Sequence, residues 1–87
     1  MIQAHIKVMD NILEGVQDYI YFSKVIELDT KTIYVSYLWD IRIVVDDIKK
    51  EVVFIGEETG YNFRWTAKTI AEIQNILNVI ISRINQY

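Results

Sequence analysis

Between Ile33 and Val45 every second residue is apolar or aromatic: Ile33, Val35, Tyr37, Trp39, Ile41, Ile43 and Val45. Side chains alternate across a pleated sheet, so this period predicts a strand with these residues on one face. Tyr34, Ser36, Leu38, Asp40, Arg42, Val44 and Asp46 then fall on the other face. Upstream, Gln17 to Asp29 predicts a partner strand, with Ile20, Phe22, Ile26 and Leu28 on its apolar side and Tyr19, Tyr21, Ser23 and Val25 on the reverse. A two-residue loop at Thr30 and Lys31 would set Leu28 opposite Ile33, Ile26 opposite Val35, Phe22 opposite Trp39 and Ile20 opposite Ile41. Any one-residue slip would turn a buried face outward. Against this register stand Lys24, which falls on the apolar side, and the lack of an Asn-Gly or Asp-Gly turn.

The polar break at Asp46 to Lys50 precedes Val52, Val53, Phe54 and Ile55, a third strand that is apolar on both faces and whose register the pattern leaves open. Gly56 to Gly60 reads as a turn. Tyr61, Phe63 and Trp65 then alternate with Asn62 and Arg64 as a short fourth strand.

Helical spacing marks the two ends. Ile2, Ile6, Met9 and Leu13 recur on one side of a first helix that Gly15 would stop, although Ile2, Ala4, Ile6 and Val8 also fit a strand. At the other end Ile70, Ile73, Leu77, Ile80, Ile81 and Ile84 form a broad stripe. Thr69 and Glu72 ahead of it have the spacing of a capping box. The expected architecture is α-β-β-β-β-α: a two-layer α+β domain over residues 1–87, with an antiparallel meander of three to four strands and both helices on one face.

Composition adds one constraint. The chain of 87 residues is 52% apolar, above the roughly 45 to 50% usual in soluble domains. One layer of helices covers one sheet face, so the surplus predicts a partner surface and a homodimer. A net charge of -3 disfavours nucleic acid, whose phosphates are bound by lysine and arginine. There is no cysteine, which excludes disulfides and thiolate metal sites. The apolar run Ile70 to Ile84 is too short and too polar to span a bilayer. Without a signal-peptide pattern at the N-terminus, the expected location is cytoplasmic.

Chemical signatures are few. His5, the only histidine, has no nucleophile or acid at relay spacing and is read as a polar helix residue. Asp46 with Asp47 and Glu57 with Glu58 sit at successive turns. A meander places such turns at opposite ends of the sheet, so no shared cation and no cofactor is expected. Gly56 and Gly60 lack the following lysine of a phosphate loop. Tyrosines on the outward face resemble base-stacking platforms, but Glu27, Asp40 and Asp46 share that face.

What remains is the outward face itself, with Tyr19, Tyr21, Tyr34, Leu38, Arg42 and Val44 as its candidate partner-binding residues. An aromatic and aliphatic centre inside a charged rim is a common interface composition. The sequence therefore implies a non-enzymatic protein-binding module. Its size and lack of cofactor motifs fit inhibitors carried by phages and mobile elements, such as anti-CRISPR or immunity proteins, which work by occluding a surface. The alternative is a small-ligand binder or sponge with an inter-subunit pocket lined by Tyr61, Phe63 and Trp65, with Arg64 supplying charge.

Overall fold

In the computed structural model the chain runs α1 (Ile2–Gly15), β1 (Ser23–Glu27), β2 (Lys31–Ser36), β3 (Ile41–Asp46), β4 (Glu51–Glu58), β5 (Tyr61–Ala67) and α2 (Ile70–Ile84). It describes residues 2–36, 39–58 and 61–84, with the side chains of 2–8, 58 and 61 left aside. The five strands form one antiparallel sheet in the order β1-β2-β3-β4-β5. The α+β class, the meander and the two terminal helices agree with the sequence. The strand count is five because the stretch read as a single strand is two.

That division has a physical origin. A strand from Ile33 to Val45 would run about 43 Å at 3.3 Å per residue, longer than the 36 Å of the whole molecule's greatest extent. The chain instead reverses between Ser36 and Ile41, which pair directly. The left-handed residue that completes the reversal is Asp40, with φ 50°, and aspartate is among the non-glycine residues that tolerate this region. Four residues in the loop exchange the faces. Odd positions are helix-side in β3 and outward in β2, so Thr32, Tyr34 and Ser36 lie beneath the helices with Ile41, Ile43 and Val45. Trp39 packs against the core from the turn.

The first hairpin is also corrected. Leu28 N donates to Lys31 O at 2.7 Å, so the loop sits one residue earlier than expected and Ile26 faces Ile33, not Val35. A bulge between Lys24 and Ile26 takes up one extra residue. Ile26 thereby stays outward while Lys24, opposite Tyr34, turns toward α1.

In β4 the register left open by the sequence is fixed by both neighbours. Val52, Phe54 and Gly56 face the helices, and Val53 and Ile55 face away. Gly56 lies inside β4 rather than in a turn. A Cβ there would stand 2.0 Å from the Phe63 ring, so only glycine lets that ring cross the strand.

One continuous core joins Met9 and Leu13 of α1, Tyr34, Ile43, Val45, Val52 and Phe54 of the sheet, and Ile73, Leu77 and Ile80 of α2. None of the outward residues Ile33, Val35, Val44, Val53 and Ile55 belongs to it, so both helices occupy one face. The Thr69 cap forms as the spacing predicts: Glu72 N donates to Thr69 Oγ1 at 3.2 Å, and Glu72 Oε1 accepts from Thr69 N and Lys68 N, each at 3.1 Å. No helix among the described residues is long and apolar enough to cross a membrane.

Candidate interaction surface

The sheet face away from the helices is built by registered pairing. Ile26, Ile33, Val44, Val53 and Thr66 face one another in turn across all five strands. Beside them, Ser23, Val35, Arg42, Ile55 and Arg64 make a second row in the same way. Paired residues on adjacent strands share a face and touch. The first row is thus an aliphatic band and the second alternates aliphatic with cationic. Ile33, Val35, Val44 and Ile55 are half-buried, Val53 in the middle of the row is 9% exposed, and Ile26 at the β1 edge is 43% exposed.

Charge closes one end of this surface. Arg42 Nη2 lies 3.9 Å from Glu57 Oε2, both side chains more than half exposed, a weak bond in water but a fixed placement of sign. At the other end Lys31 Nζ is 3.9 Å from Asp46 Oδ2. Asp46 is nearly buried, and its Oδ1 accepts from Ile48 N and Lys49 N at 3.0 Å each. The Lys49 and Ile48 amides, with Lys31 and Lys49 nearby, hold its carboxyl below the usual carboxylate value against the opposing effect of desolvation.

Of the six residues expected on this face, Arg42 and Val44 are there, side by side on β3. Tyr34 is not. It is 2% exposed under α1, and its hydroxyl donates to Asp10 Oδ1 at 2.7 Å. The reason is the parity exchange at the turn after Ser36. Burial, followed by the bond to Asp10, pushes the phenol well above its ordinary 10.0. Tyr19 and Tyr21 are exposed at 58% and 65%. Tyr21 borders a shallow hollow of about 180 Å³ with Asp10, Glu14, Gln17 and Lys24, which places it at the α1 side of the edge. Leu38 lies outside the described residues.

Beside Tyr34, Lys24 Nζ bridges Glu27 at 3.3 Å and Asp10 at 3.4 Å and stands 5.9 Å from the Tyr34 ring centre. Desolvation lowers the Lys24 pKa, but its carboxylate partners outweigh that and the net shift is upward. The lysine that disturbed the sequence register is therefore part of the α1 attachment.

Phe63 and Trp65 stack with ring centres 4.3 Å apart on the helix side, whereas Arg64 points outward opposite Ile55. Arg64 lines one hollow with Trp65 and another with Phe63, and the side chain of Tyr61 lies outside the described residues. Asp47 N donates to Thr30 O at one end of the sheet, and Glu57 N to Asp40 O at the other, so the two acidic pairs stand apart, with Glu57 and Glu58 in β4 rather than in a turn. Among the described residues no group of three or more His, Cys, Asp and Glu could hold a metal. Sequence reasoning missed Ile33, Val35 and Ile55 as surface residues. The signal that could have found them is the length of the alternating run, too great for one strand of so small a fold.

Compared with known proteins, the chain matches no family model, no curated protein and no solved structure.

Proposed function

We propose that this chain is a non-enzymatic protein-binding module whose partner surface is the uncovered sheet face, and that it works as a homodimer. The observation that carries the reading is the unbroken row Ile26, Ile33, Val44, Val53 at the centre of a face that neither helix covers. Aliphatic side chains in water gain roughly 25 cal/mol for each Å² removed from it. Arg42, Arg64 and Glu57 beside the row give a partner polar contacts that fix its orientation. Occlusion of a host or defence protein is the mode that fits a small chain with no metal-holding cluster among the described residues, and a cytoplasmic setting fits a chain without cysteine.

The test is comparative capture from extracts of the organism of origin, using the native chain and Val44→Glu. A partner held by the native chain and lost about tenfold or more by the variant, with far-UV circular dichroism and melting temperature retained, supports the reading. An identical set of captured proteins for both chains overturns it.

A further inference from the structure

The two edges of the sheet are not equivalent. The β1 edge is five residues long, carries a bulge, and has Lys24 tied across its inner side to Asp10, devices that discourage a further strand from pairing. The β5 edge is seven residues long, pairs regularly with β4 and has no proline.

Along the β5 edge a hollow of about 450 Å³ is lined by Trp65, Asn75, Ile76 and Val79 from the helix side and by Arg64 and Thr66 of the strand from the other. Trp65 and Ile76 are half-buried and Val79 is 43% exposed. This is apolar surface on the flank of α2, about 100° around the helix from the inward stripe of Ile73, Leu77 and Ile80.

That flank has an order of its own. Glu72, Ile76, Val79 and Arg83 follow at spacings of four, three and four residues, so they lie in one line along α2. The line reads acidic, apolar, apolar, basic. Its midpoint falls between Ile76 and Val79. Turned end for end about that midpoint, it matches itself: Ile76 meets Val79 and Glu72 meets Arg83. Glu72 gives Oε1 to the cap, and the Arg83 guanidinium lies 5.8 Å from the Trp65 ring centre, which sets the cation beside the hollow.

We infer that the occupant of this edge is a second copy of the chain, related by a two-fold axis, with β5 antiparallel to β5 and α2 antiparallel beside α2. Charge complementarity favours this occupant, because the antiparallel copy alone brings the two helix-end charges into opposite-sign pairs on both sides of the axis. The isologous contact buries Ile76, Val79 and Trp65 from each copy and pairs the open backbone of each β5. It leaves the opposite sheet face free. The inference rests on the homodimer part of the function proposed above and names the surface that forms it.

Sedimentation of the full chain over a wide concentration range tests both. The expected result is a dimer whose dissociation constant rises about tenfold or more in Val79→Glu, which places a carboxylate opposite Ile76. Arg83→Glu sets like charges against Glu72 and raises it roughly threefold to tenfold, and serves as the second variant where Val79→Glu does not fold. Val44→Glu leaves it unchanged. A monomer at several hundred micromolar overturns the homodimer itself. A dimer indifferent to the folded α2 variants, or dissolved by Val44→Glu, overturns only this choice of surface.

Discussion

Tyr34 ties the first helix to the sheet. Its ring fills the core between β1 and β3, and its hydroxyl reaches the half-exposed Asp10 on α1. Replacing it with phenylalanine keeps the packing and removes the bond to a charged acceptor. The expected loss is about 1 to 2 kcal/mol of stability, read as a lower urea midpoint with an unchanged slope. Asp46 acts at the opposite end of the sheet. Its ordinary value is 3.8 and the fold holds it lower, so near and below pH 4 the unfolded chain binds more protons than the folded one. The stability this carboxylate contributes is complete above its unfolded value and is lost as pH falls through the folded value. Urea midpoints between pH 5 and pH 2 should fall less steeply for Asp46→Asn, whose amide oxygen still accepts from Ile48 and Lys49. Equal slopes in the two chains would remove Asp46 from the account.

At the scale of elements, α2 was the most legible part of the sequence. An isoleucine-rich helix has only middling propensity, so its N-terminal cap and its inward stripe have to be written plainly into the residues. Thr69→Ala should cost about 1 kcal/mol, measured by thermal or urea unfolding, with helix content retained. The β2–β3 turn was the least legible. The four positions between the paired Ser36 and Ile41 carry no glycine or proline, and Trp39 among them keeps the apolar alternation running through the reversal. Because the loop holds an even number of residues, the alternation continues while the face it marks is exchanged. One overlooked turn thus misplaced Ile33, Val35 and Tyr34 together. The bulge in β1 was hidden for a similar reason, since Val25 and Ile26 are equally acceptable on an apolar face and only the Lys24 pairing with Asp10 decides between them. The third strand was read as apolar on both sides, and the sheet shows why: its inward residues meet the core and its outward ones sit in the middle of the uncovered face.

For the whole molecule, the division into a helix-covered face and an open one was legible from composition and period, while the membership of the open face was not. Arg42 and Val44 were placed correctly because β3 keeps the parity from which the sequence argument started. Two apolar regions carry the proposals made above, the centre of the open face and the flank of α2 beside β5, while Tyr19, Tyr21, Leu28 and Ile48 are exposed outside both. These point in different directions, so a substitution in one leaves the other intact, and the partner binding and self-association proposed above should be separable by mutation.

The sequential strand order has a further consequence, for how the chain collapses. Every strand lies beside its neighbour in the chain, so the sheet can assemble by closing short loops one after another. Contact between α1 and α2, as where Leu13 and Ile73 enter one core, brings together segments about 60 residues apart. By the logarithmic law for loop entropy, that closure costs roughly 2 to 3 kcal/mol more than closing a loop of about four residues if nothing between is formed. A finished sheet brings the two ends near each other beforehand and removes most of that difference. The sequential meander thus lowers the entropic cost of bringing the two terminal helices into one core.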